Sequence, residues 1–251
     1  MSTLDSMNTQ THPPIKTIAQ LKADGRASIL GYLPTLIIAN IGYIAASYVL
    51  TGLVSNVVSG VTLLSVLASV FLSFLVSLMV GIVRYGLYSL YLNRQFEQTI
   101  APADLYRGFR EQPDRIIKVE AAFAAVESLA LLPFTLFTYR QASITDEPVK
   151  SIVLLALGYL VTFTMEVEFA PIWFLMLDFP EMKEKQLFVT SARMMRGHRK
   201  QYILLTLSFL PLYFLGFLSF GIALLWVMAY RYASYAAFYR DLVSQYSYSE
   251  E

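Results

Sequence analysis

The sequence predicts an all-α protein, a polytopic bundle of six transmembrane helices with cytoplasmic amphipathic helices. Three observations carry that prediction. The 251 residues are 56% hydrophobic and only 15% charged, against about 45–50% apolar and about 25% charged in an ordinary soluble domain. The apolar residues gather in long runs, and a helix needs about 20 of them to cross about 30 Å of hydrocarbon. The basic residues concentrate in alternate connections between those runs. A net charge of +1 gives no electrostatic case for nucleic acid as a partner, and the lack of cysteine excludes disulfides, thiolate metal sites and cysteine nucleophiles.

Residues 1–29 form a polar leader with no apolar core of signal-peptide type, ending in a cytoplasmic amphipathic helix. Six spans follow: Leu30–Val54, Val61–Val83, Ile116–Phe137, Ser151–Leu177, Tyr202–Leu218 and Ile222–Tyr239. They define a transmembrane domain over 30–242, with inner loops at about 84–115 and 178–201 and a tail over 243–251. Only Ser219, Phe220 and Gly221 separate the last two spans. With Pro211, Gly216 and Gly221 nearby, they predict a tight hairpin.

The loops orient the bundle. Lys16, Lys22 and Arg26 precede the first span, and Arg84, Arg94, Arg107, Arg110, Arg115 and Lys118 flank the second connection. The fourth holds Lys183, Lys185, Arg193, Arg196, Arg199 and Lys200. The opposite side has Arg140 and Lys150, beside Asp146 and Glu147. With Arg231 and Arg240 set aside, fifteen basic residues face two. The positive-inside rule then places both termini in the cytoplasm, in the plasma membrane.

The stretch Glu184–Lys200 sets Leu187, Phe188, Ser191, Ala192 and Met195 on one helical face, with Arg193, Arg196, Arg199 and Lys200 off it. A basic amphipathic helix of this kind can contact anionic lipid headgroups. The plainer reading is a helix tucked under the bundle, its charges merely obeying the positive-inside rule.

Charges inside the spans need partners, since an isolated one near the midplane costs at least roughly 2.5–3.5 kcal/mol on insertion scales. Counting 1.5 Å per residue puts Glu127 about 16 Å in from the inner edge and Arg231 about 14 Å below the outer edge. Asn40 reaches a similar depth. The three form a candidate intramembrane polar cluster, with a Glu127–Arg231 ion pair at its centre. Glu120, Glu166, Glu168 and Arg84 share an inner depth and form a second candidate cluster. Pro171 would leave the Val167 carbonyl free between Glu166 and Glu168, a stop for a cation or proton if it lines a wet cavity. Ser65, Ser69, Ser73, Ser77 and Gly81 recur every four residues and predict a helix-packing seam, with a polar pore lining as the alternative.

The carboxy-terminal third carries a resemblance. Ser191, Arg193, Met195, Gly197, His198 and Arg199, the turn Phe220–Trp226 and the closing Ala236–Leu242 resemble an uncharacterised, largely Gram-positive bacterial integral-membrane family, the domain of unknown function 975. Leu21–Tyr32 and Asp104–Phe109 are similar to further family positions. The chain departs from the family pattern in having Ala229, where proline is common, before Tyr230, and in Arg231. The resemblance implies no established activity.

His12 and His198 lie far apart in sequence, so no histidine-rich metal site is expected. Neither a phosphate loop nor a Gly-x-Ser-x-Gly elbow occurs. No cofactor and no enzymatic activity are expected. Three readings remain: a structural, regulatory or lipid-interacting envelope component, which the basic loops favour; a small transporter or channel using the midplane polar residues; and an intramembrane lipid-handling enzyme. Expected partners are membrane lipids, anionic ones included, and a second copy or another membrane protein.

Overall fold

The computed structural model of the chain describes residues 15–57, 62–140 and 147–249. His12, Asp146, Val61 at the start of the second predicted span, and the last two residues of the tail lie outside the described residues. Among the described residues every regular element is helical.

Helix α1 (Ile18–Ile29) opens with a capping box. The Thr17 hydroxyl accepts from the Gln20 N–H at 3.3 Å, and the Gln20 side chain accepts from the Thr17 N–H at 2.8 Å. Its buried face, Leu21, Gly25 and Ile29, lies against the last helix, α11 (Ile222–Ser249). A Cβ on Gly25 would stand 2.7 Å from the Ser234 backbone nitrogen, so glycine permits this crossing.

Helix α2 spans Leu33–Val57, and α3 runs unbroken over Leu63–Gln95. The second predicted span ends at Val83, yet α3 continues another twelve residues, about 18 Å at 1.5 Å per residue. The inner connection therefore begins at Phe96, not near residue 84. No proline stands in this stem, and its Leu87, Leu90 and Tyr91 are buried. A 3-10 turn (Pro102–Tyr106) and a single turn, α4 (Arg107–Arg110), fold back onto the stem. A Cβ on Gly86 would meet the Leu105 carbonyl oxygen at 1.9 Å, and one on Gly108 the Ile82 carbonyl oxygen at 2.4 Å.

Helix α5 spans Pro113–Arg140. The fourth predicted span is broken into α6 (Pro148–Glu168) and α7 (Ile172–Asp178), with the interruption just before and at Pro171. The basic inner stretch is also divided. Helix α8 (Glu184–Met195) buries Leu187, Ser191, Met194 and Met195, then Gly197, at φ 87°, turns the chain into α9 (Arg199–Leu207). The fifth predicted span breaks between α9 and α10 (Leu210–Leu218). Pro211 cannot donate to the carbonyl of Leu207. At this break Lys22 Nζ donates to the Ser208 carbonyl at 3.1 Å and to its hydroxyl at 3.2 Å. The predicted hairpin is observed: Phe220 and Gly221 take φ 54° and 89°, and the Gly221 N–H donates to the Gly216 carbonyl at 3.0 Å.

Among the described residues five helical segments are long and apolar enough to cross a membrane: Leu33–Val54, Leu63–Gln95, Pro113–Tyr139, Pro148–Asp178 and Arg199–Leu218. The first half of α11, the sixth predicted span, falls below that apolarity because Arg231 and several tyrosines interrupt it. From Val227 onward it is instead enclosed, with Val227, Ala229, Ala233, Ala236 and Phe238 all buried. A helix walled by protein needs no lipid-compatible face. Exposed apolar side chains such as Val49, Phe71, Leu160 and Phe214 line the outer helices instead. That is the surface a bilayer accepts.

The helices form an arc. Around it α10 meets α11, α11 meets α2 and α3, α3 meets α5, and α5 meets α6. The end of α6 meets α9, but neither α5 nor α6 packs extensively on α10 or α11, so the arc closes at α9 and stays open beside α10.

Candidate functional site

Several helices turn a face toward one cavity of about 590 Å³ inside the arc. The spacings follow from helical geometry, since residues three, four and seven apart share a face. Arg84 and Tyr88 come from α3, Glu120, Phe123 and Glu127 from α5, and Tyr159, Phe163 and Glu166 from α6. Tyr202 and Thr206 come from α9, and Arg231, Tyr232 and Tyr235 from α11. Five charged side chains thus meet at a level where the surrounding helices are apolar.

One pair neutralises itself. Arg84 Nη1 lies 3.3 Å from Glu120 Oε2, and the Ser77 hydroxyl donates to Glu120 Oε1 at 3.3 Å. Glu120 is buried, and Arg84 also stands 5.8 Å from the centre of the Trp173 ring. Gly81 leaves room for the glutamate: a Cβ there would lie 2.5 Å from Glu120 Cγ.

The other three charges stay apart. Glu127 and Glu166 are exposed to the cavity and make no hydrogen bond or ion pair among the described residues. Among the described residues Arg231 meets no carboxylate within 4 Å. Its guanidinium lies 5.0 Å from the Tyr232 ring centre, 5.5 Å from Tyr213 and 5.7 Å from Tyr235, and its Nε is buried without a partner. Cation–π contact lowers the cost of such a charge without cancelling it. The expected Glu127–Arg231 ion pair is therefore not made. Its two helices are not packed neighbours, so the charges stand on walls of the same cavity.

Asn40 is no third member of such a pair. It is fully buried behind the wall, where its Nδ2 donates to the Leu36 carbonyl at 2.8 Å and to the Tyr91 hydroxyl at 2.5 Å. Tyr91 stacks on Tyr232 at 5.5 Å, which links Asn40 to the chamber only through two rings.

The predicted inner cluster divides in the same way. Arg84, Glu120 and Glu166 line the chamber, while Glu168 leaves it for Arg199, with contacts of 2.6 Å to Nε and 2.7 Å to Nη2. That two-pronged bond ties the end of α6 to the start of α9. Of the expected lipid-contact residues, Arg199 is thus engaged, while Arg193, Arg196 and Lys200 are exposed. Two other loop arginines are spent on the fold: Arg115 bonds the carbonyls of Phe179, Pro180 and Met182, and Arg94 those of Ser28 and Gln98.

The serine seam serves three ends. Ser65 belongs to the cap of α3 with Thr62, Ser77 and Gly81 accommodate Glu120, and Ser69 and Ser73 line a second cavity of about 440 Å³. This second space shares Tyr43, Arg84 and Glu127 with the chamber and reaches Thr51 and Thr135 near the far ends of α2 and α5.

The tyrosines were not singled out by sequence reasoning. Tyr88, Tyr202, Tyr232 and Tyr235 line the cavity, and the signal was present in "YRYASYAAFY", where ring-bearing residues recur within a span already holding Arg231.

Residues 123–246 match the model of the family described as "Protein of unknown function (DUF975)". The match includes Glu127, Glu166 and Arg231 but not Arg84 or Glu120. No curated protein and no solved structure matches the chain.

Proposed function

We propose, from the premise that residues 123–246 form a domain of this family and bring no assigned activity with them, that the chain is a small multi-pass transporter. The chamber is its substrate site, α11 supplies a sixth crossing, and both termini lie in the cytoplasm of a bacterial cell. The single observation that carries the reading is a chamber of about 590 Å³ holding two carboxylates and a guanidinium without ionic partners. A device for helix register alone would have paired them, because unpaired charge at that level is costly.

Two broken helices support the same reading. The interruptions before Pro171 and at Ser208–Phe209 both flank the chamber, and discontinuous helices beside an intramembrane polar site are a recurring transporter feature. The sequence favours a structural or regulatory component. The chamber reverses that order, and the exposed Arg193, Arg196 and Lys200 are left for anionic lipid at the inner surface.

Because the chain lacks cysteine, Thr162→Cys places one thiol on the chamber wall. A charged, membrane-impermeant thiol reagent should reach it in intact cells and again in inverted vesicles. A thiol protected on both sides would refute a water-accessible chamber, and labelling from one side alone would refute alternating access.

A further inference from the structure

The chamber's charges define what it can hold. An anion would suit Arg231 but meet Glu127 and Glu166. A simple cation would suit the two carboxylates and be opposed by Arg231. A zwitterion satisfies all three at once, and it does so without disturbing the Arg84–Glu120 pair.

The walls say how the ligand gets in. Tyr159 and Phe163 line the chamber, yet they are 57% and 38% exposed, and Glu127 and Glu166 are exposed as well. These rings stand at the open side of the chamber, where α6 is not closed against α10 and α11, two helices that would both border lipid in a six-crossing bundle. The opening therefore faces the bilayer. A molecule entering there can keep an apolar tail in lipid while its polar end reaches the charges. The Tyr232 hydroxyl bonds Arg231 and can donate its own proton to a phosphate oxygen, while the Tyr235 hydroxyl bonds Thr206 on the same wall.

We infer that the chamber binds a phosphate–amine zwitterion presented by a lipid headgroup, phosphate on Arg231 and ammonium between Glu127 and Glu166, entering through the gap between α6 and α10–α11. This rests on the transporter reading for the chamber's role, but it can be tested separately from it. Binding in detergent requires no movement across a membrane.

The experiment uses the purified full chain, stripped of lipid, and follows thermal stabilisation on titration with short-chain phosphatidylethanolamine, phosphatidylglycerol of the same chains, and soluble phosphoethanolamine. The amine lipid should bind at least tenfold more tightly than the glycerol lipid. Arg231→Gln should weaken both lipids about tenfold. Glu127→Gln with Glu166→Gln should weaken only the amine lipid and erase the preference. Phosphoethanolamine that competes as well as the lipid would keep the zwitterion but overturn the lipid source; a lipid at least tenfold better supports it. Equal affinity for the two lipids, or a preference that survives loss of both carboxylates, overturns the inference. If the double variant does not fold, the Thr162→Cys chain gives a second readout. Its thiol should be shielded from reagent by phosphatidylethanolamine and left open by phosphatidylglycerol, and equal shielding by both overturns the inference.

Discussion

Gly81 and Glu120 occupy almost the same space, and each explains the other. A Cβ at Gly81 would stand 2.5 Å from Glu120 Cγ and 2.7 Å from its Cδ. The glutamate cannot simply swing away, because Arg84 and Ser77 hold its two oxygens. Gly81→Ala should then cost about 1–3 kcal/mol, the usual range for overpacking. In a Glu120→Ala background the obstacle is gone, so the same substitution should cost less than half as much. Unfolding in detergent across the four chains measures the coupling, and simple additivity would refute the contact. Glu120→Gln alone should fall toward the low end of about 3–5 kcal/mol for breaking a buried pair, since Arg84 keeps 30% of its side chain exposed. A second residue makes a pH prediction outside the spans. Asp241 is buried beside the Lys16 N–H and the Gln245 amide, and burial holds its carboxyl above the ordinary range despite those partners. The folded chain then binds this proton more tightly than the unfolded chain. Its contribution to stability is full at low pH and is lost as pH rises from the ordinary value of about 4 through the raised one. Asp241→Asn should flatten that part of the melting-temperature profile, and an unchanged slope would remove Asp241 as its source.

At the scale of elements, the turns were legible and the lengths were not. Phe220–Gly221 and the prolines at 171 and 211 announce themselves, because left-handed backbone and a missing N–H are properties of single residues. The long stem of α3 is different. Its twelve extra residues are ordinary in composition and stay helical because Pro102–Arg110 folds against them, a tertiary cause that no local pattern records. Gly86 is where that docking is closest, with a notional Cβ 1.9 Å from the Leu105 oxygen and 2.5 Å from its carbon. Both obstacles are backbone and cannot rotate aside. Gly86→Ala should therefore lift the segment from the stem and cost about 3 kcal/mol or more. Trypsin reports it directly, since cleavage after Arg107 and Arg110 should quicken. Unchanged cleavage would mean that the segment does not rest on Gly86.

At the scale of the molecule, the membrane class follows from composition because about 30 Å of hydrocarbon imposes a length that a sequence must spell out. Burial level is also legible, since it is a count of residues. Direction around each helix axis relative to distant helices is not, and this is why Glu127 and Arg231 could be placed at one level but not as separate walls of a cavity. The same gap hid the tyrosines, which look alike whether they face lipid, core or chamber. The arrangement still makes a firm prediction about topology. Phe220, at the α10–α11 hairpin, is 99% exposed, whereas exposed Gln20 sits on α1, which lies against the other end of α11. If α11 crosses, these two positions lie on opposite faces of the bilayer. In this cysteine-free chain, Phe220→Cys should label with an impermeant maleimide in intact cells, and Gln20→Cys only after the membrane is opened. Labelling of both without permeabilisation, or of neither, would leave α11 on one side and break the arc that encloses the chamber.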